Sequence, residues 1–143
     1  MTSPLIAARD AISTAWAANW IGAEPVLWQH NAATNIAPDI DTPLWLHGEF
    51  APAREAIAAF GGGPRAAERV LSGTVTLRAF ALTGTGDDGM LDLLDRAVAV
   101  LRGQHAAGLT CFGDIKYSNA RQSENGLWDY RTAVVGIEYR FVG

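Results

Sequence analysis

The sequence predicts an α+β fold in which an antiparallel or mixed sheet carries two helices on one face. Two segments have apolar residues at helical spacing, and at least five others are short, aromatic and β-branched or alternate between apolar and polar residues. Their order is helix, strands with a hairpin, helix, strands. A chain of 143 residues with 49% hydrophobic and 18% charged residues predicts one domain over residues 1–143 with one core.

The first helix is predicted to begin with Ser3 as N-cap and Pro4 in the first helical position. Its apolar face is Leu5, Ala8, Ile12, Ala15 and Trp16. The segments 25–32 ("PVLWQHNA") and 42–50 ("TPLWLHGEF") are predicted to be strands, joined by a loop rich in Asp and Pro.

The clearest strand signal covers residues 73–84, and a helix is predicted over residues 87–102 with Gly103 after its end. The apolar stripe of that helix is Leu91, Leu94, Val98 and Leu101. Two strands follow, at 109–118 and 128–142. The last one alternates, with Ala133, Val135, Ile137, Tyr139 and Phe141 on one side and Thr132, Glu138 and Arg140 on the other. Its polar side is either a solvated face or a surface for a neighbouring subunit.

The stretch "APAREAIAAFGGGPRAAERVLSG" (51–73) is ambiguous. Its alanines favour helix, whereas "GGGP" is a strong turn signal between two halves of similar length. A β-hairpin and a pair of short helices both fit.

The stretch "LTGTGDDG", at 82–89, raises the question of a nucleotide-binding loop before a helix. A phosphate loop presents backbone N–H groups and the positive end of a helix to an anion. Here Asp87 and Asp88 occupy the place of the phosphate. Acidic residues stabilise a helix start, and Thr85 with Asp88 resembles a capping box. We therefore predict that Gly84 and Gly86 serve only to turn a strand into a helix.

No catalytic or cofactor-binding constellation emerges. A net charge of −4 without a basic cluster argues against a dedicated nucleic-acid binder. Cys111 lies in an alternating run typical of a strand core. Asp39, Asp41 and His47 could in principle gather around a metal, but aspartates between strands are more typical of turns.

We accordingly expect no metal, no cofactor and no enzymatic activity. Ser72 and Ser123 lack the context of a nucleophile elbow. No export signal and no membrane-spanning stretch is apparent, which predicts synthesis in a cytoplasm and no membrane partner.

Five tryptophans are many for this length. Most are expected in the core, because large aromatic side chains bury the most area. Trp20 and Trp128 lie beside loops and are the two candidates for an interface.

The order of elements, with "FALTGTGDDGMLDLLDRAVAVLRG", "GLTCFGDIKYS" and a closing "WDYRTAVVGIEYRFV", resembles the small tail terminator (tail completion) proteins of long-tailed phages and phage-like particles such as gene transfer agents. In that family an alternating strand runs into a "GTG" turn and a helix. A long final strand carries an aromatic residue and Arg near its end, as Tyr139, Arg140 and Phe141 do here. The resemblance covers the chain well from residue 73 onward and the first helix loosely.

The resemblance implies a non-enzymatic virion protein that forms a hexameric ring on the last ring of a tail tube, ends its growth and offers a docking surface to head-completion or connector proteins. DNA passes through such a ring without specific binding. The resemblance also implies that residues 54–71 form an extended hairpin. A closed ring needs two complementary lateral surfaces. We predict that Arg78, Arg131, Glu138 and Arg140 lie at subunit contacts or line the lumen.

Two alternatives remain. Another head-to-tail joining protein or a tail tube protein would share the α+β architecture and ring assembly. A small-molecule-binding or hydrolytic α+β domain would need convergent polar groups inside an apolar pocket, and the sequence offers no such cluster.

Overall fold

A computed structural model describes residues 3–30, 43–59, 68–103, 105–106 and 108–142. In chain order the elements are α1 (Pro4–Asn19), β1 (Val26–Trp28), β2 (Leu44–Ala59), β3 (Glu68–Leu82), α2 (Asp88–Leu101), β4 (His105–Ala106), β5 (Leu109–Tyr117), β6 (Arg121–Gln122) and β7 (Trp128–Val142). All predicted helices and strands are present, although β1 is shorter than expected and the small strands β4 and β6 were not foreseen.

The described strands form one mixed sheet in the order β1-β2-β3-β7-β5-β4, with β6 also pairing with β7. Every pairing is antiparallel except that of β1 with β2, which is parallel. The connection from β3 through α2 leads to β4 and then β5, which both lie on the far side of β7. The predicted α+β class is confirmed.

Both helices pack on one face of the sheet. The buried strand residues on that face alternate along β3 and β7, as a period of two requires. Together with the helices they form the main core: Ile12, Trp16, Leu46, Val75, Leu77, Ala79, Ala81, Met90, Leu93, Leu94, Ala97, Val98, Val100, Leu101, Leu109, Cys111, Ala133, Val135 and Ile137. Tyr139 packs against this core, as the alternation in β7 predicts.

Two residues of the predicted helix faces are exposed, and Ala15 is partly buried against the core. Leu5 is 48% exposed, because packing of α1 begins one turn later, at Ala8. Leu91 is 42% exposed, because the buried arc of α2 is broad and centred on Met90 and Ala97, which leaves Leu91 at its edge.

A smaller cluster lies on the opposite face of the sheet. Leu27, Trp45 and Trp128 are buried there, and Phe80 and Leu82 pack against them. The rings of Trp45 and Phe80 stack with centroids 4.1 Å apart, and Trp128 meets Trp45 edge-on at 5.6 Å. This aromatic cluster holds the end of the sheet where β3 leads into α2.

The ambiguous stretch is a hairpin. β2 continues to Ala59 and β3 begins at Glu68, with irregularities in the pairing between Pro52 and Arg54 and between Ile57 and Ala59. Strand pairing therefore overrides the helical preference of the alanines, as tertiary context often does. The tip, residues 60–67, lies outside the described residues.

The helix starts are only partly as predicted. Gly84 and Gly86 adopt φ values of 90° and 91°, which glycine tolerates best, and they turn β3 into α2. The capping box is wrong, because the Thr85 hydroxyl donates to the Leu82 carbonyl at 2.7 Å and Asp87 is the N-cap residue. Ser3 takes the N-cap position of α1 without a side-chain hydrogen bond.

We expect Gly73→Ala to destabilise the hairpin. A Cβ at Gly73 would come within 2.5 Å of the Ala51 carbonyl oxygen and 3.0 Å of the Pro52 Cα, both backbone atoms that cannot swing away. The strain should lower the free energy of unfolding by about 1–3 kcal/mol. Urea denaturation measures the change, and Ser72→Ala on the neighbouring position is the control. Equal stability of the two variants would contradict the close approach.

Candidate functional site

The glycine turn before α2 holds an ion pair and not an anion site. Arg131 on β7 donates from Nε and Nη2 to the two carboxylate oxygens of Asp87, each at 2.6 Å. This bidentate pair ties the start of α2 to the sheet. The hydrogen bonds from Arg131 hold the pKa of Asp87 below its ordinary value of 3.8. A carboxylate thus stands where a phosphate would have to bind.

Asp87→Asn should destabilise the protein in a pH-dependent way. Because the pKa of Asp87 is lowered on folding, its stabilising contribution is present above the unfolded value of 3.8 and is lost as the pH falls through the folded value. Wild type should be more stable than Asp87→Asn at pH 7, and by about the same margin at pH 5. This difference in stability should shrink as the pH falls further.

The measurement is the urea midpoint across this range. Asp114→Asn, at an exposed position with no ion pair in the described chain, serves as the control. A difference that stays constant down to about pH 2 would show that the Asp87 carboxylate is not the stabilising form.

The four charged residues predicted at subunit contacts do not form one cluster. Arg131 lies on the helix side of the sheet, whereas Arg78, Glu138 and Arg140 alternate onto the opposite side. Arg78 contacts Glu49 across the hairpin at 3.5 Å, and Arg140 contacts Glu68 at 3.1 Å.

Glu138 is half-buried between Ser72 and Thr110 on the neighbouring strands, and makes no ion pair within the described chain. Arg78, Arg131 and Arg140 therefore have partners inside the subunit. All four side chains remain at least partly exposed to solvent.

The two predicted interface tryptophans differ. Trp128 is only 3% exposed and packs against Trp45, so it is a core residue and its prediction as an interface residue is wrong. Its position beside a loop suggested an exposed side chain, but that side chain faces the aromatic cluster. Trp20 is partly exposed at the end of α1, where its ring stacks on Trp16 with centroids 5.0 Å apart.

Trp20 borders an open cleft of about 300 Å³ between the end of α1 and α2. Asn19, Trp20, Ile21, Gly22, Arg96, Ala99 and Val100 line it. Arg96 places its guanidinium 5.7 Å from the Trp20 ring centroid. The same guanidinium donates to both carboxylate oxygens of Glu24, and its Nε donates to Asp92 at 3.0 Å.

Glu24 is the largest cause of the raised pKa of Arg96, and the hydrogen bond from Arg96 lowers the pKa of Glu24 in turn. Of the residues in this cleft the sequence pointed only to Trp20. The signal that was available is the apolar Ile21 followed by Gly22 directly after a helix end that carries Trp16 and Trp20.

The far end of the sheet is a second open region, which we call the distal sheet: residues 51–57 of β2, 68–70 of β3 and 138–142 of β7. The β2 part is exposed almost throughout, and Ile57 is 46% and Val142 69% exposed. Tyr139 and Phe141 stack there, with ring centroids 6.2 Å apart. Among the described residues, the buried positions of β3 begin at Leu71, and of this region only Tyr139 packs against the main core.

Of the candidate residues for metal binding and catalysis, those that the structure describes do not form one cluster. His47 lies 3.2 Å from the Gln29 amide oxygen, and burial lowers its pKa. Asp39 and Asp41 lie outside the described residues. Within the described ranges, no three His, Cys, Asp or Glu side chains are grouped as metal ligands would be. Ser123 bonds to Asn125 in its own turn, and Ser72 lies within β3.

Cys111 is a core residue, as predicted. It is 3% exposed on β5, and burial raises the pKa of its thiol to about 11.

At pH 8 only about one thousandth of the Cys111 side chain should be thiolate, which is the reactive form. We expect iodoacetamide to modify native protein at least about a hundredfold more slowly than protein unfolded in urea. Mass spectrometry over time measures both rates. Comparable rates would show an accessible, activated thiol and would revive the possibility of a nucleophile.

Comparison with known proteins supports the fold alone. No protein-family model matches the chain, and no curated protein matches it significantly in sequence. A solved structure, whose name states no function, matches with a TM-score of 0.61 at 17% identity, over 98% of this chain and 96% of that one. At this identity the match shows that the α+β arrangement occurs in a known structure.

Neither described helix combines the length and the apolar character that crossing a bilayer would take.

Proposed function

We propose that this protein is a tail terminator: a non-enzymatic virion protein that forms a hexameric ring on the end of a phage or phage-like tail tube. The ring stops tube polymerisation and gives head-completion or connector proteins a surface on which to dock. DNA passes through its lumen without specific binding. The protein is made in the host cytoplasm and resides at the head-proximal end of the tail.

The observation that carries the proposal is the distal sheet. A sheet normally buries at least one face against other elements. Here the hairpin formed by β2 and β3 extends past the helices, and Ile57 on β2 and Val142 on the neighbouring β7 remain exposed. A neighbouring subunit in a ring would supply the missing cover, and the sequence resemblance from residue 73 onward supports the same role.

The ion pairs of the distal sheet suit this role. Arg69 contacts Glu55 at 3.5 Å and joins β3 to β2, while Arg140 contacts Glu68 and joins β7 to β3. Each pair is exposed and contributes little to folding by itself. Such pairs can exchange partners across a subunit contact, where charge complementarity selects the register.

The first experiment is light scattering of the purified protein, followed by negative-stain imaging with and without tail tubes assembled from the cognate tube protein. A hexamer, or rings at tube ends only, is the expected result. A monomer that ignores tubes would contradict the proposal. Filaments formed by the protein alone would identify it as a tube protein instead.

Arg140→Glu should impair ring formation while the subunit stays folded. It places a second carboxylate beside Glu68, and the exposed pair that is lost contributes at most about 1 kcal/mol to folding. Ile57→Asp should also impair ring formation, because it places a charge at an apolar contact.

Arg121→Glu, at an exposed position on β6, is the control. Circular dichroism checks folding and light scattering checks the ring. An unchanged assembly mass in both variants would exclude the distal sheet as the contact.

A further inference from the structure

The cleft beside Trp20 is open and already formed in the isolated subunit. Trp16 supports one face of the Trp20 ring, and Arg96 stands over the ring at 5.7 Å. Gly22 lies so close to the indole that a Cβ there would overlap it. The ring is therefore fixed by three neighbours. A site built from restrained side chains loses less entropy on binding than one that must first be ordered.

The mouth of the cleft is apolar and solvated. Ile21 is 97% exposed, the largest value among the exposed large apolar residues of the described chain, and Ala99 is exposed on the adjoining turn of α2. Val100 lies deeper and is nearly buried. Single exposed apolar residues are ordinary, but this one stands at the rim of a concave apolar surface, which is the typical shape of a binding site.

The charge around the cleft is negative. Arg96 faces Glu24 and Asp92, and Asp95 is exposed on the same helix without an ion pair in the described chain. Two carboxylates thus hold the guanidinium, and a third, that of Asp95, lies one turn before Ala99 on the same side of α2. The carboxyl end of α1 also points here, with no basic residue in its last turn to offset the partial negative charge of its carbonyl groups.

We propose that this cleft is a docking site for a partner protein segment that presents an apolar side chain beside Lys or Arg. The apolar side chain would lie against Ile21, Ala99 and Val100. The neighbouring cation would meet Asp95 and the end of α1. The inference goes beyond the ring proposal and does not depend on it, because the cleft belongs to the helix layer and the ring contacts were assigned to the distal sheet.

The probe is the acetylated and amidated peptide Gly-Lys-Leu-Lys-Gly, added to ¹⁵N-labelled full-length protein and followed by two-dimensional NMR. The Trp20 indole N–H, assigned by comparison with Trp20→Phe, and the amides of Ile21 and Ala99 should shift in a saturable way at millimolar peptide. The matched peptide Gly-Glu-Leu-Glu-Gly should cause no such shift. Raising the salt concentration should weaken the interaction, since exposed charges are screened.

Two pairs of variants separate the apolar and charged contributions. Ile21→Ser should weaken binding several-fold, whereas Ile57→Ser, an equivalent change on the distal sheet, should not. Asp95→Lys should weaken binding about three- to tenfold. Glu124→Lys, the same reversal at an exposed position in the turn before β7, should leave binding unchanged.

The proposal is overturned if no saturable shift appears up to about 5 mM peptide. It is also overturned if the acidic peptide shifts the same resonances equally, or if Asp95→Lys binds as wild type does. The outcome is distinguishable from that of the ring experiment, because Ile57→Asp and Arg140→Glu test assembly without altering the cleft, and Ile21→Ser tests the cleft without altering the distal sheet.

Discussion

The length of the helices limits how much of this sheet can be buried. α1 has 16 residues and α2 has 14, so each covers at most about 21–24 Å. β2 has 16 residues and β3 has 15, and each extends about 50 Å. Two helices side by side on such a sheet leave roughly half of the strand length without cover. The exposed hairpin is therefore a consequence of element lengths and needs no special feature of its sequence.

The position of α2 decides which half is left open. The glycine turn and the pair between Asp87 and Arg131 hold the start of α2 close to the end of β3, far from the hairpin tip. From there α2 can cover Val75, Ala133 and Val135. It does not reach the part of β3 that precedes Leu71. The aromatic cluster on the opposite face lies at the same anchored end. Both faces are thus packed at one end of the sheet, and both are open at the other.

Much of this arrangement could be predicted from the sequence, because it depends on local pattern. The alternation in β7 placed Ala133, Val135 and Ile137 in the core, and the glycines at 84 and 86 marked the turn into α2. The pattern failed where a non-local partner decides the outcome.

Nothing local distinguishes Thr85 as a cap from Thr85 as a donor to Leu82. Nothing local shows that Trp128 faces Trp45, or that Arg131 binds Asp87 some 44 positions away. The cleft was missed for the same reason. Glu24 and Arg96 are 72 positions apart, and only the fold brings them to one tryptophan.

The two open regions differ in chemistry, which argues for two different kinds of partner. The distal sheet carries two Arg–Glu ion pairs, each joining adjacent strands, so its positive and negative charges balance. Such a surface suits contact with another copy of itself in a closed ring. The cleft has excess negative charge, so two copies of it would repel each other. A surface of that kind favours a partner with a different sequence. If the distal sheet is used in lateral contacts, the helix layer stays free to recognise a partner above or below the proposed ring.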